Sequence, residues 1–292
     1  MSTAPELQPA EPPGIRPLFA KLVDDAALFP PGNAPMPAAV RGYLDALAGD
    51  HAGLMGVFLC PASRLPELIV EVVKAKPAEP VPISLVVDNG LGGVPKAVST
   101  VESRRNMLRL RMVEMSAPSD VDATWLERVS EFVPEDVVRV VEPVRPGPGD
   151  RAAWLDGVRR VARYGCWPKL RCGGLRAGAF PVVSDVSDFL TAVCAENVSF
   201  KASAGLHHAI RYRDDETGFV HHGFVNVMVG VARTLAGRDA GPALESTDTD
   251  ALVAELNELP DATARAVRQT FASYGSCSLE DPIADLTKLG LL

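Results

Sequence analysis

Short apolar runs, many of them β-branched, recur along the chain, and most are followed by a segment whose apolar positions repeat with helical period. This alternation constrains the fold more than any other feature, because β runs separated by helices pair as parallel strands through βα units. The runs lie at residues 26–29, 55–60, 81–88, 108–114, 137–142, 168–172, 199–203 and 273–277. Helical stretches are predicted at 37–48, from a Ser63 cap to 75, 121–132, 150–164, from Ser184 or Ser187 onward, and 222–236. Two more at 250–259 and 262–272 read as an insertion before the last strand, and a final helix opens at Ser278 and runs to Leu292. Eight strands in 292 residues predict an α/β fold, a (β/α)8 TIM-type barrel. The competitor, an open doubly wound sheet, lacks its usual mark, since no Gly-x-Gly-x-x-Gly follows any run.

Composition fits a single barrel domain over 17–292 behind a flexible Pro-rich tail at 1–16, with 47% hydrophobic and 23% charged residues. A net charge of −8 argues against nucleic acid or an anionic membrane as partner. The first residues carry neither early positive charge nor an apolar core, so they read as neither signal peptide nor membrane span. Five cysteines without Cys-x-x-Cys spacing suit reduced thiols, and a cytoplasmic location is expected.

Active sites of such barrels sit at the C-terminal ends of the strands. Those ends carry Asp88 and Asn89, Glu114, Glu142, Lys169 with Arg171, Lys201 with Ser203, and Ser276-Cys277-Ser278. Lys169 and Arg171 are two apart, as are Lys201 and Ser203, so each pair shares one face of its strand. Facing inward, they would set two lysines and an arginine against Glu114 and Glu142. A lysine among cations and apolar walls has a lowered pKa, and its neutral amine can attack a carbonyl to form a Schiff base. The expected catalytic set is therefore Lys201 as the amine, Lys169 as the cation that lowers its pKa, Glu142 or His207 as proton shuttle, and Ser203. Arg171, Arg176 and the Gly173-Gly174 loop are expected to hold a phosphate or carboxylate, with Asn226 as a further substrate contact. The substrate expected is a small anionic metabolite.

The segment Lys201-Ala202-Ser203-Ala204-Gly205-Leu206 resembles the Lys-Thr-Ser-Thr-Gly-Phe strand of deoxyribose-phosphate aldolases, whose lysine forms the Schiff base. Lys169 with Gly173-Gly174-Leu175-Arg176 is similar to their Lys-x-Ser-Gly-Gly-Ile-Arg strand, which supplies a second lysine and a phosphate cradle. The two motifs stand in reversed order, the lysine-to-glycine spacing is longer by one, and two threonines are alanines. Across most of its length the chain is also similar to a bacterial family with no assigned activity. The shared motifs are Asp24-Asp25-Ala-Ala-Leu-Phe29-Pro-Pro, Lys-x-Arg-x-Gly-Gly, Phe-Lys-Ala-x-Ala-Gly-Leu-His-His and Gly275-Ser-Cys-Ser. The resemblances imply a barrel and a lyase of aldolase kind.

Four of the five histidines form two adjacent pairs, His207-His208 and His221-His222, on either side of an Asp-Asp-Glu-Thr-Gly turn centred on a hairpin. They carry the alternative reading, a metal-dependent hydrolase or lyase with Zn, Fe or Mn held by His208, His221, His222 and Glu114. The lead reading needs no cofactor. His222 and Asn226 are four apart and would share a helix face. Cys277 between two serines is either a thiolate nucleophile or a small buried hydrophobe, with no base assignable. The charged hairpin tip, 211–216, is a candidate lid or a contact in a homo-oligomer. A barrel that binds a ligand without catalysis is the third reading.

Overall fold

The computed structural model describes residues 16–145 and 150–292. The expected tail lies outside the described residues except for Arg16, whose guanidinium donates to Asn257 Oδ1 at 2.7 Å. The strands are β1 (Val23–Asp25), β2 (Met55–Pro61), β3 (Val81–Val86), β4 (Leu108–Ser116), β5 (Val138–Glu142), β6 (Trp167–Arg171) and β7 (Phe200–Ser203). A hairpin of β8 (Tyr212–Arg213) and β9 (Val220–His221) follows, then β10 (Phe271–Ser276). Eight of these close into a parallel barrel in the order β1-β10-β7-β6-β5-β4-β3-β2, so the predicted (β/α)8 fold is correct.

Most boundaries agree with the sequence pattern to within two residues, but the first strand does not. It is Val23–Asp25, and the apolar run at 26–29 forms a turn in which Phe29 N–H donates to Ala26 O at 2.9 Å. The reason is local: Asp25 Oδ1 accepts the Ala27 N–H at 2.8 Å, an Asx turn that ends the strand. The two adjacent acids just ahead of the predicted run are themselves part of the strand. The hairpin forms as predicted, with Tyr212 opposite His221 and Gly218 at φ 69°. The helix after it runs Phe224–Leu235, leaving His222 ahead of its first turn. The expected helical insertion is present as Thr249–Asn257 and Asp261–Thr270.

Strand alternation sorts the side chains. Outward residues join two large apolar clusters beneath the helices, with Phe189, Phe200, Phe224 and Phe271 in one and Tyr43, Phe58, Leu68 and Val113 in the other. Inward residues build a smaller apolar floor from Val57, Leu59, Met112, Val138, Val140 and Trp167. Polar residues on the same inward faces follow one step toward the C-terminal ends. Lys169 lies two residues beyond Trp167 and in register with Lys201, and Arg171 is in register with Ser203. The apolar floor thus carries an ionic layer on its upper side.

The ends of β6 and β7 run unusually close, and glycine makes this possible. Gly205 has φ +75°, and a Cβ there would stand 2.7 Å from the Cys172 carbonyl oxygen. A Cβ on Gly173 would stand 2.9 Å from Gly205 Cα. Gly205→Ala is therefore expected to lower unfolding stability by about 1–3 kcal/mol through backbone strain and clash. Urea denaturation checks this, and an unchanged midpoint would contradict the packing described.

Candidate functional site

Lys201 is fully buried at the centre of the barrel, and its amine is held from two sides. Its Nζ lies 2.7 Å from Asp24 Oδ2 and 2.5 Å from Glu114 Oε1. Each carboxylate is itself supported. Ser273 Oγ donates to Asp24 Oδ2 at 2.6 Å and Val57 N–H to Asp24 Oδ1 at 2.8 Å, while Ser84 Oγ donates to Glu114 Oε1 at 2.7 Å. A buried ion cluster persists only when its lone pairs and protons are satisfied in this way. Burial is the largest influence on the Lys201 amine and would lower its pKa, but the combined pull of Asp24 and Glu114 raises it. Burial likewise pushes the Glu114 carboxyl up, and Lys201, Lys169 and Ser84 outweigh it, bringing the pKa down to about 2.

This corrects the expectation of a neutral Lys201 amine. The two carboxylates beside it favour the ammonium, and no part of its side chain reaches solvent. Lys169 is not among the groups that set its pKa; Asp24, which the predicted strand at 26–29 left out, is the first of the two that raise it.

Above the buried layer the cluster opens. Lys169 Nζ lies 3.1 Å from Glu114 Oε2 and 3.4 Å from Glu142 Oε2, with 11% of its side chain exposed. Arg171 reaches Glu142 Oε1 at 3.7 Å and is half exposed. Ser116, Glu142, Arg145, Trp154, Lys169 and Arg171 line a cleft of about 220 Å³. Arg145 is fixed in its wall by Asp185 at 2.9 Å and by the Gly178 carbonyl at 2.6 Å. Ser203, on the same face as Lys201, has a buried hydroxyl without a hydrogen-bond partner among the described residues. Lys169, Glu142, Arg171 and the orphan Ser203 thus cluster near one mouth, where the predicted strand ends meet.

The remaining expected site residues divide. Gly174 sits beside the Arg171 guanidinium, about 3.5 Å from where its Cβ would be, but it and Gly173 are also required by packing, since a Gly174 Cβ would meet Ala179 Cβ at 2.9 Å. Arg176 is exposed on the loop beyond. Asn226 is not a substrate contact. Its Oδ1 accepts Arg211 N–H at 2.8 Å and its Nδ2 donates to the Ala243 and Ser246 carbonyls at 2.7 and 2.8 Å, so the fully buried amide is used up in fixing the hairpin to the next helices.

The four residues expected to hold a metal are not brought together. His208 Nδ1 pairs with Asp285 Oδ2 at 3.1 Å, and His221 Nδ1 donates to Gly205 O at 3.1 Å while its ring stacks on Tyr212. His222 Nε2 donates to Pro181 O at 2.8 Å, and its Nδ1 faces Arg211 at 3.3 Å. Burial is the main cause of a His222 pKa lowered to about 4, so the ring is neutral at pH 7. Glu114 lies inside the barrel against Lys201. Neighbours on extended chain point to opposite sides, and each imidazole has a different protein partner. Among the described residues no group of three or more His, Cys, Asp or Glu is arranged to hold a metal ion. His207, expected as a shuttle beside the lysines, places its Nδ1 3.6 Å from Cys277 Sγ.

No family model and no curated protein matches the chain.

The sequence reading missed Asp24, Ser84 and Ser273, whose signal was the inward register of their strands with Lys201. Asp25 is buried, and burial, the largest influence, with adjacent Asp24 raises its pKa to about 6 despite the opposing Ala27 N–H. A folded-state pKa raised above the unfolded value favours folding at low pH, and that contribution is lost as pH rises through about 6. Asp25→Asn keeps the acceptor for Ala27 and removes the buried charge. It is expected to raise unfolding stability by about 1–3 kcal/mol at pH 7.5, a gain that fades toward pH 4. Urea midpoints at the two pH values check both the size and the sign.

Proposed function

We propose that this chain is a barrel enzyme acting on a small phosphorylated or carboxylated metabolite, by a lyase reaction of aldolase kind in which Lys169 supplies the amine. One observation carries the reading: of the two inward lysines, Lys169 alone reaches the cleft, resting on Glu114 and Glu142 with Arg171 beside it. The cleft suits a molecule of a few carbons.

Chemistry follows from the contacts. Glu142 takes a proton from the Lys169 ammonium, and the neutral amine adds to the substrate carbonyl, forming the N–C bond while the π pair moves to oxygen. Glu142 returns that proton to the oxygen. A second proton passes from nitrogen to Glu142 and then to the departing hydroxyl, which leaves as water and yields an iminium ion. Glu142 then takes the proton of the substrate's β-hydroxyl, whose oxygen becomes the carbonyl of the departing aldehyde as the carbon–carbon bond breaks. The electron pair of that bond moves into the iminium to give an enamine. Glu142 returns the proton to the enamine carbon, and water hydrolyses the resulting iminium to release the second product and free Lys169. Arg171 meets the anionic end of the substrate with paired N–H donors. Lys201 serves from beneath as a fixed cation that favours the ionised form of Glu114, so that Glu114 keeps Lys169 in place.

Sodium borohydride reduction in the presence of pyruvate or of glyceraldehyde 3-phosphate tests this. A mass adduct is expected on the peptide that contains Lys169, absent in Lys169→Met and formed about a hundredfold more slowly in Glu142→Gln. An adduct confined to Lys201, or none with either compound, would overturn the assignment.

A further inference from the structure

Cys277 lies one residue past the end of β10. Two residues apart on that strand, Ser273 contacts Asp24 in the interior, and a Cβ on Gly275 would meet Leu59 and Ala26 at 3.5 and 3.6 Å. Cys277 continues this inward face at the barrel mouth. It is also part of a constructed group. His207, on the loop after β7, brings Nδ1 to 3.6 Å from Sγ. The N–H of Gly32 and that of Cys277 itself also point at the sulfur and favour its anionic form. Gly32 is glycine for a spatial reason: a Cβ there would stand 3.0 Å from Ala27 O and 3.2 Å from Cys277 Cβ.

The other cysteines differ in kind. Cys60, Cys166 and Cys172 are buried and face main-chain carbonyls of Pro61, Tyr164 and Leu170. Cys194 is partly exposed, and burial pushes its thiol up to about 11 with no charged group to oppose it. Burial raises the Cys277 thiol as well, so the resting pair is a thiol beside a neutral imidazole. His207 is available to accept the proton, because burial and the nearby His221 and His208 rings, against Asp281 and Asp214, favour its unprotonated ring, and the 3.6 Å contact puts its Nδ1 within reach of the thiol.

We propose that Cys277 and His207 form a thiol–imidazole pair at the barrel mouth that bonds covalently to small carbon electrophiles, aldehydes foremost. His207 Nδ1 takes the thiol proton as Sγ attacks the aldehyde carbon. The C–S bond forms, the C=O π pair moves to oxygen, and the proton passes from His207 to that oxygen. A hemithioacetal results, with no other reactant consumed. The pair does not depend on the lyase reading.

Iodoacetamide at pH 7, with each cysteine followed by peptide mass spectrometry, tests the pairing on the intact protein. Cys277 is expected to react about tenfold or more faster than Cys194, which serves as an internal reference of similar exposure. His207→Asn or His207→Gln should bring Cys277 down to the rate of Cys194, and prior addition of propionaldehyde should slow Cys277 and leave Cys194 unchanged. Labelling of Cys60, Cys166 and Cys172 reports any variant that has unfolded, and the wild-type ratio then decides alone. Equal rates in the wild type, or an unaltered Cys277 rate in a folded His207 variant, would overturn the pairing. Absence of protection by propionaldehyde would overturn its aldehyde capture.

Discussion

The contact between the Lys201 ammonium and the two carboxylates of Asp24 and Glu114 is the interaction on which the barrel interior depends. It spans the lumen, joining β7 to β1 and β4, and Ser273 and Ser84 extend it to β10 and β3. A charge in this position has no water to turn to, so each member must be matched by the others. The apolar floor of Val140, Trp167 and their neighbours lies on one side and the half-open layer of Lys169, Glu142 and Arg171 on the other. Polarity therefore rises from floor to mouth. That gradient is what presents Lys169 and Arg171 to the cleft with their counter-charges already in position.

Much of this was legible in the chain. Alternation of β runs and helical segments gave the closed barrel, and the two-residue spacing of Lys169 with Arg171 and of Lys201 with Ser203 gave their shared inward faces, because strand periodicity is strict. What pattern alone could not supply was the partner of each charge. The predicted first strand began after Asp24 and Asp25, and only the closing of the barrel sets β1 beside β10, where Asp24 meets Ser273 and Lys201. The distinction between the two lysines turned on this one residue. With Asp24 in place Lys201 is a buried cation, and the accessible amine is its neighbour across the register.

The histidines show the same limit. His208, His221 and His222 read as a ligand set with Glu114, and His207 as a proton shuttle, but loop conformation directs the four imidazoles to Asp285, Gly205, Pro181 and Cys277 separately. His221 and His222 hold the hairpin against the β7 end and the Pro181 loop, and Asn226 ties it to the helices behind. Sequence spacing predicts proximity of segments, whereas the direction of each ring is set by the hydrogen bonds it finds. Cys277, for which no base was apparent from the sequence, acquires one by the same route.

Asp24 and Glu114 hold Lys201 as a buried cation, and the amine proposed to react is Lys169. Titration of the Lys201 Nζ, followed by nitrogen-detected NMR of lysine-labelled protein, tests this most directly. A midpoint above the ordinary 10.5 is expected, with the amine protonated throughout the neutral range. A midpoint well below that value would show a neutral amine inside the barrel and overturn the role of Lys201 as the buried cation.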